Sequence, residues 1–174
     1  MRNHEFESPN HFLGDIPTPW FRIGTLRRAV AQLRARVLMV DDEPANLLLL
    51  EEFLSDTATE VYSITDPREV EQAFKDFQPD IVLLDLHMPE IDGREILRRL
   101  RGPRDSLGFL PVVVLTGDTS RAARNSAFLL GANDFLTKPL DKTEVVLRVR
   151  NLLRTRELYV DLETANAALK QDDR

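Results

Sequence analysis

From Val37 onward the chain alternates short apolar runs with amphipathic stretches, and this alternation restricts its fold more than any other feature. Most of the runs lack the polar alternation of a strand with one face in water, so they are typical of strands covered on both faces. The five runs are Val37–Val40, Val61–Ile64, Ile81–Leu84, Val112–Leu115 and Phe135–Leu136. Because a helical stretch follows each run, the strands must be parallel with right-handed crossovers, which predicts an open, three-layer α/β sheet.

Capping residues mark where the predicted helices begin and end. The clearest start is Asp66–Glu69, an aspartate N-cap followed by proline at the first helical position and glutamate at the third. The first helix is predicted to begin at Pro44 and the last at Asp141, while Gly131 closes the fourth. These signals predict five strand–helix units.

Composition excludes several classes of protein. The chain has 174 residues, a net charge of −6 and a hydrophobic content of 43%, which is typical of a soluble globular protein with one core plus appendages. Without cysteine there is no disulfide, thiolate metal site or thiol nucleophile, which fits a cytoplasmic protein. The longest apolar run, Phe109–Leu115, is shorter than the roughly 18 residues of a membrane span, so no membrane partner is expected.

Four segments are predicted along the chain. Residues 1–19 contain three prolines and no periodicity, which indicates a mobile tail. Residues 20–36 predict a short, arginine-rich lead-in helix, and a transit peptide is the alternative for this composition. Residues 37–155 hold the strands and helices of the sheet and form one domain. Residues 156–174 continue the last helix beyond that domain.

Polar side chains follow four of the five strands. Asp41 and Asp42 follow the first strand, Asp85 the third, Thr116 the fourth and Lys138 the fifth. In a parallel sheet these strand ends meet at one edge, where ligands bind. Carboxylates in close contact repel each other by up to about 4 kcal/mol per pair, and one lysine compensates only one of the three charges. The cluster therefore predicts a bound divalent ion with oxygen ligands, Mg²⁺ or Mn²⁺, since zinc would require histidine or cysteine.

These residues resemble the signature of the receiver domain of bacterial two-component response regulators. The resemblance covers about residues 36–155, with the motifs in order and at fitting spacing. The motifs are Asp41-Asp42, Asp85–Gly93, Thr116-Gly117 and Lys138-Pro139. The resemblance implies a doubly wound, flavodoxin-like sheet of five parallel strands in the order 2-1-3-4-5. It also implies a cis peptide bond between Lys138 and Pro139.

The resemblance implies that Asp85 is a phosphoacceptor. Its carboxylate would take a phosphoryl group from a phosphohistidine of a sensor histidine kinase or of a phosphotransfer protein. Asp42 and Asp85 would bind Mg²⁺ directly, Asp41 would bind it partly through water, and the backbone carbonyl of His87 would complete the protein ligands. Such a chain is a signalling protein that catalyses only its own phosphorylation and dephosphorylation, and it is not an enzyme on other substrates.

The resemblance also implies a switch. The Thr116 hydroxyl and the Lys138 ammonium would bind phosphoryl oxygens, and Phe135 occupies the switch-aromatic position. An inward movement of Thr116 would open space for the Phe135 ring and change the surface formed by the fourth helix, the fifth strand and the fifth helix. His87 and Asp118 would set the lifetime of the phosphoryl group.

Several of these residues also have a purely structural interpretation. Asp41 and Asp42, taken alone, could cap the first helix, and Phe135, taken alone, fits a core position as well as a switch. Asp92 is predicted to cap the third helix, and the side chain of His87 is predicted to face solvent. The metal and switch hypotheses therefore depend on the joint occurrence of the motifs.

The last helix is predicted to continue past the domain to about Leu169. Two heptad registers fit the extension: one comprises Leu152, Thr155, Tyr159, Leu162, Asn166 and Leu169, and the other Leu158, Leu162, Ala165 and Leu169. A homodimer is expected through this helix as a coiled coil, through the surface of the fourth helix, fifth strand and fifth helix, or through both. A solvated helical tail is the alternative. Val149–Leu158 resembles linkers to cyclic-di-GMP output domains, particularly HD-GYP phosphodiesterases, so a downstream output domain or protein is a further expected partner.

Two other functions compete with the phosphoacceptor hypothesis. Haloacid-dehalogenase-type phosphatases use a similar set of residues, but they need an aspartate two positions after the nucleophile, where this chain has His87. The second is a receiver-like scaffold or dimerisation module that is never phosphorylated. Nucleic-acid binding is poorly supported, because the basic residues are dispersed and the net charge is −6.

Overall fold

The computed structural model describes residues 35–57, 60–101 and 108–172, and five strands alternate with five α-helices along this part of the chain. The strands are β1 (Arg36–Val40), β2 (Glu60–Ile64), β3 (Ile81–Asp85), β4 (Val112–Thr116) and β5 (Asp134–Thr137). The helices are α1 (Pro44–Leu54), α2 (Val70–Phe77), α3 (Gly93–Leu100), α4 (Arg121–Leu129) and α5 (Lys142–Asp172). The tail predicted over 1–19 and nearly all of the helix predicted over 20–36 lie outside the described residues.

The strands form one parallel sheet in the order β2-β1-β3-β4-β5, which confirms the predicted topology. Successive side chains of each strand point to opposite faces, so the sheet carries two cores. One core joins a face of the sheet to α2, α3 and α4, and the other joins the opposite face to α1 and α5. Apolar burial on both faces explains why the strands read as continuous apolar runs.

Several strands extend beyond their apolar runs by one residue. Arg36 begins β1 and pairs with Glu60 of β2, which corrects the predicted boundary, because the lead-in helix was expected to include Arg36. Asp85 and Thr116 are the last residues of β3 and β4. Strand pairing is made by the backbone, so a polar residue can continue a strand that the apolar pattern ends.

The helix starts follow the capping residues. The Asp66 carboxylate accepts a hydrogen bond from the Arg68 N–H at 2.9 Å, and a short 3₁₀ turn, Pro67–Glu69, leads into α2. Pro44 is the first residue of α1. Gly131 follows α4 with a φ of 97°, the left-handed conformation that closes a helix at low cost only with glycine.

The start of α3 is packed closely behind the end of β3. Asp92 caps this helix as expected, because its Oδ1 accepts a hydrogen bond from the Arg94 N–H at 2.8 Å. A Cβ atom at Gly93 would collide with the carbonyl oxygen of Asp85. Glycine is therefore required at this position, and the close approach holds the loop after Asp85 against the helix.

Helix α5 is 31 residues long, which corresponds to about 46 Å. Its first turns pack on the sheet through Val145, Val149 and Leu153, whereas residues 157–170 are exposed. The helix therefore continues past the body of the domain, as predicted. Within the described parts of the chain, no helix combines the length and the apolar composition that crossing a membrane requires.

A polar clamp holds α5 where it leaves the sheet. Arg156 donates from Nε to Asp80 Oδ1 at 3.2 Å and from Nη1 to the Phe109 carbonyl at 2.6 Å. Asp80 lies just before β3, and its Oδ2 accepts a hydrogen bond from the Arg36 N–H at 2.9 Å. We call these four residues the Asp80 clamp. It ties the start of β1, the start of β3 and the segment before β4 to the last helix.

Candidate functional site

The carboxyl ends of the strands surround one open cavity of about 720 Å³. Six residues selected from the sequence line it: Asp41, Asp42, Asp85, His87, Asp118 and Lys138. Thr116 is buried and Phe135 half-buried, and neither is among the lining residues. The fold thus brings together residues up to 97 positions apart in the chain.

Three carboxylates and one ammonium meet in this cavity. Asp41, Asp42 and Asp85 each offer a carboxylate oxygen, and these oxygens all lie within 4.8 Å of one another. Lys138 Nζ lies 2.8 Å from Asp41 Oδ2 and 3.3 Å from Asp85 Oδ2. One ammonium is shared between two carboxylates, so the cluster retains an excess of negative charge.

Asp85 combines burial with an incompletely paired carboxylate. It is buried, and its Oδ1 is the one buried side-chain polar atom of the described residues without a hydrogen-bond partner. Burial raises the pKa of the Asp85 carboxyl above its ordinary value; the positive charge of Lys138 opposes this, and the negative charge of Asp41 adds to it. A buried carboxylate oxygen without a partner is costly, so a cation or a reacting group that contacts this atom would remove that cost.

The donor set fits a hard divalent cation. Asp42 and Asp85 can each turn an oxygen into the cavity, and the open volume leaves room for the waters that Mg²⁺ retains. The carboxylate group contains no imidazole or thiolate, so its chemistry does not favour zinc. The backbone carbonyl of His87, in the loop directly after β3, is a further candidate ligand. The residues present therefore fit Mg²⁺ or Mn²⁺.

Asp41 is held by two residues that the sequence analysis did not select. Asn46, in the first turn of α1, donates from Nδ2 to both oxygens of Asp41, at 3.0 and 3.1 Å. The Glu43 N–H donates to Asp41 Oδ1 at 2.9 Å. Both oxygens of Asp41 already accept hydrogen bonds, which favours contact with a cation through water. A sequence signal for Asn46 exists: it is an asparagine in the first turn of the helix that follows the paired aspartates.

Lys138 is positioned by the end of the sheet. The Lys138–Pro139 peptide bond is cis, as the resemblance implied, and the Lys138 N–H donates to the Thr116 carbonyl at 2.8 Å. Burial lowers the pKa of the Lys138 ammonium, but the hydrogen bond to Asp41 and the charge of Asp85 outweigh this and raise it above its ordinary value. The ammonium is therefore charged at neutral pH.

Thr116 is hydrogen-bonded to Asp118, one of the two exposed residues at the cavity mouth. Thr116 Oγ1 accepts a hydrogen bond from the Asp118 N–H at 3.0 Å, and such a hydroxyl can still donate its hydrogen to another group. The Ser120 N–H donates to Asp118 Oδ1 at 2.8 Å, which lowers the pKa of the Asp118 carboxyl below its ordinary value. Asp118 and His87 are exposed, and His87 faces solvent as expected.

Phe135 lies on β5, outside the cavity lining. Its ring packs partly against the core beside α2, α3 and α4, and it also contacts Arg124 and Phe128 of α4. The ring is therefore partly in the core and partly at the surface, and its role as a switch stays a prediction.

The fold and this site define a class of protein. The model of the response regulator receiver domain family matches residues 37–150, and the chain belongs to this family. The transcriptional regulatory protein TrcR of Mycobacterium tuberculosis is 40% identical over 119 residues, which are 68% of this chain and 45% of that protein. The response regulator PleD of Caulobacter vibrioides is 38% identical over 137 residues, which are 78% of this chain and 30% of that protein.

A solved structure supports the same assignment of the fold. The chemotaxis response regulator CheY4 of Vibrio cholerae matches with a TM-score of 0.62 and 26% sequence identity, over 68% of this chain and 98% of that one. The chain spans less than half of the length of TrcR and of PleD. What is shared with these two relatives is therefore a part of each of them.

Proposed function

We propose that this chain is a phosphoacceptor, which takes a phosphoryl group onto Asp85 from a phosphohistidine of a sensor histidine kinase or a phosphotransfer protein. The observation that carries the proposal is made at Asp85, which lines a cavity shared with Lys138 and whose buried Oδ1 has no hydrogen-bond partner among the described residues. Membership of the receiver domain family supports it. A scaffold that is never phosphorylated would not need such an oxygen.

The transfer needs one nucleophile and compensation of charge. Asp85 Oδ1 attacks phosphorus, the bond from phosphorus to the histidine nitrogen breaks, and the imidazole leaves with the electron pair and then takes a proton from solvent. The product is an acyl phosphate on Asp85. When bound, Mg²⁺ supplies positive charge that neutralises carboxylate and phosphoryl oxygens. Asp42 and Asp85 would hold it directly, with Asp41 acting through water and the His87 carbonyl as a further ligand.

The response to phosphorylation begins at Lys138 and Thr116. The ammonium and the hydroxyl bind phosphoryl oxygens, which draws Thr116 towards the site. Thr116 is paired with Thr137 in the sheet, so the movement acts on β5 and allows the Phe135 ring to turn inward. The surface of α4, β5 and α5 then changes. Apolar side chains that a partner could cover are exposed there: Phe128, Leu129 and Leu147.

His87 and Asp118 control the loss of the phosphoryl group. Both are exposed and line the mouth of the cavity, so the water that hydrolyses the acyl phosphate must pass between or beside them. The carboxylate of Asp118 and the imidazole of His87 can each orient or exclude that water. Their identity therefore sets the lifetime of the signal.

A homodimer through the end of α5 is the second part of the proposal. Leu158, Leu162 and Leu169 are 55%, 58% and 68% exposed along one side of the helix. Tyr159 already stacks near Phe109, with ring centroids 6.0 Å apart, and so belongs to contacts within the domain. The heptad register of the three leucines with Ala165 is therefore the one available to a second chain, and it favours a parallel coiled coil.

The remaining expectations follow from the same site. The chain acts on its own aspartate in the cytoplasm and is not an enzyme on other substrates, because a haloacid-dehalogenase-type phosphatase would need an aspartate where the exposed His87 stands. Val149–Leu158 resembles linkers to HD-GYP output domains, so the signal passes along α5 to an output domain or protein.

Acetyl phosphate with Mg²⁺ tests the proposal, with intact-mass spectrometry as the readout. The wild-type chain should gain one phosphoryl group, Asp85→Asn should gain none, and Asp80→Asn should gain as much as the wild type. Asp80→Asn is a matched control because it changes an aspartate at the other end of the same strand. Labelling that survives Asp85→Asn, or no labelling of the wild type, would contradict the proposal.

Light scattering with and without beryllofluoride tests the dimer. Leu162→Glu should reduce the dimer fraction strongly, whereas Thr164→Glu places the same charge on the same exposed helix outside both heptad registers and should not. An equal effect of the two substitutions would exclude the coiled coil.

A further inference from the structure

The Phe135 ring is enclosed by side chains of two neighbouring helices. The guanidinium carbon of Arg124 lies 4.1 Å from the ring centroid, above its face, and that of Arg148 lies 5.9 Å away. Phe128 approaches from the side, with centroids 5.8 Å apart and the rings at 83°. A cation within about 6 Å of an aromatic centroid is attracted to the negative face of the ring. The candidate switch residue therefore lies in a cation–π contact with α4.

The two guanidinium groups differ in how their charge is compensated. Arg148 donates to both oxygens of Asp134, at 2.7 and 2.8 Å, and to Glu144 at 2.8 and 2.9 Å. Arg124 makes no ion pair with any residue that the structure describes, and it is exposed. With no carboxylate competing for it, the face of Phe135 is the favourable site for the Arg124 charge. Arg148 is held in place by its carboxylates and would remain there if the ring moved.

We propose that Arg124 is a positioning residue for the switch: its cation–π contact holds the half-buried Phe135 ring in its present position beside α4, which we call the outward position, and so sets the threshold for the response to phosphorylation. The inference rests on the proposed function, because the inward movement of the ring belongs to that proposal. The contact with Arg124 stabilises only the state in which the ring is outward. A contact present in one of two states shifts their equilibrium by its whole free energy.

Phosphorylation must then overcome this contact before the surface of α4, β5 and α5 can change. Loss of the contact should raise the population with the ring inward by about two- to fivefold, the range expected for a cation–π contact at a partly exposed site. The concentration of beryllofluoride that gives half of the maximal response should fall by a similar factor. The maximal response itself should not change, because Arg124 does not line the cavity around Asp85.

Fluorine NMR of the chain labelled with 4-fluorophenylalanine tests the inference, with the Phe135 resonance assigned by Phe135→Leu. In the wild type, the resonance should move on addition of beryllofluoride and Mg²⁺. Arg124→Met keeps an unbranched side chain but removes the charge, and its resonance without beryllofluoride should already lie part of the way towards the shifted position. The Phe135 resonance of Arg124→Lys should lie between those of the wild type and Arg124→Met. An ammonium keeps the charge but is more strongly hydrated than a guanidinium, so its contact with the ring is weaker.

Arg121→Met is the matched control, because Arg121 is exposed on the same helix and, in the described parts of the chain, contacts no aromatic ring. The Phe135 resonance of Arg121→Met should match that of the wild type, with and without beryllofluoride. A wild type that responds to beryllofluoride together with an Arg124→Met variant identical to it overturns the inference and leaves the proposed function standing. A wild type that shows no response at any beryllofluoride concentration overturns the proposed function instead. Because Arg124 is exposed, its substitution should not prevent folding, and circular dichroism of each variant verifies this.

Discussion

Strand β3 has an aspartate at each end, and the fold surrounds the two in opposite ways. Asp80 lies immediately before the strand, and its oxygens accept hydrogen bonds from Arg156 at 3.2 Å and from the Arg36 N–H at 2.9 Å. Asp85 is the last residue of the strand. Its Oδ2 lies 3.3 Å from the shared Lys138, and its Oδ1 has no hydrogen-bond partner in the part of the chain that the structure describes.

The difference separates an end of the sheet where a carboxylate is compensated by arginines from an end where one oxygen of a carboxylate is left unpaired among the described residues. Asp80 is paired with two arginines, so its charge is compensated within the protein and it fastens α5 to the sheet. Asp85 is more deeply buried and competes with Asp41 for one ammonium. Folding is therefore favoured by the first carboxylate and opposed by the second when no cation is bound. The same substitution at the two positions should change stability in opposite directions.

The largest effect is expected for Asp80→Asn. The neutral amide weakens the contacts to Arg156 and Arg36 and leaves a partly buried guanidinium without its carboxylate, so the free energy of unfolding should fall by about 2 kcal/mol. Urea denaturation measures it. Asp76→Asn is the control, because Asp76 is exposed on α2 and, among the described residues, its carboxylate accepts side-chain hydrogen bonds only from Gln72, one turn before it. An equal loss of unfolding free energy in both variants would show that the Asp80 clamp stabilises the protein no more than the exposed contact of Asp76 does.

Asp85→Asn should change the stability in the opposite direction. Removing the charge relieves the burial of an ionised group and its repulsion with Asp41, so in EDTA the free energy of unfolding should rise by about 1 kcal/mol. Addition of Mg²⁺ should stabilise the wild type more than the variant, because the Asp85 carboxylate belongs to the proposed cation site of the folded protein. A destabilised Asp85→Asn protein in EDTA would refute the contrast between the two ends of β3.

The pH dependence of stability should show the same contrast. The pKa of Asp85 in the folded protein is raised above its ordinary value of 3.8, so the folded state holds this proton more tightly than the unfolded chain. Its stabilising contribution is complete below 3.8 and is lost as the pH rises through the raised pKa. In EDTA, the stability of the wild type relative to Asp85→Asn should therefore decrease from acid towards neutral pH. A difference in stability between the two proteins that stays constant over this pH range would indicate that the pKa of Asp85 is not shifted by folding.

The smallest effect is expected for Asn46→Ala, which frees one side of Asp41. Asp41 keeps its hydrogen bonds from the Glu43 N–H and from Lys138, so stability should fall by only about 0.5–1 kcal/mol. Mg²⁺ affinity, measured by calorimetry, should fall a few-fold, because Asp41 is no longer held towards the cavity. Asn151→Ala, on the exposed side of α5, provides the control and should leave Mg²⁺ affinity unchanged.

The periodicity of the sequence predicted the strands because both of their faces are buried. Every residue from Ile81 to Leu84 must then be apolar, and the polar residue that follows marks the edge of the sheet. The strand order itself came from the resemblance to receivers, since periodicity does not specify which strands are neighbours. The pattern began β1 at Val37, one residue too late, because Arg36 pairs through its backbone while its side chain reaches Asp80.

The residues of the candidate site that stand at strand ends could be predicted from the sequence. Asp41, Asp42, Asp85 and Lys138 were selected because parallel strands bring these ends together, and they line one cavity. Asn46 was not selected, because its contact with Asp41 depends on how α1 is oriented after its first turn.

The sequence alone determined the alternation of buried strands and amphipathic helices, because the burial of each segment is recorded in its own apolar pattern. The edge at which the carboxylates meet follows from this alternation, since strands that are each followed by a helix all run in the same direction. Only the tertiary structure decided which oxygen of Asp85 lacks a partner, which arginine lies on Phe135 and that Asp80 holds the last helix. Those contacts join residues up to 76 positions apart in the case of Asp80 and Arg156. They depend on strand register, helix orientation and side-chain rotamers together, and no local pattern in the chain records that combination.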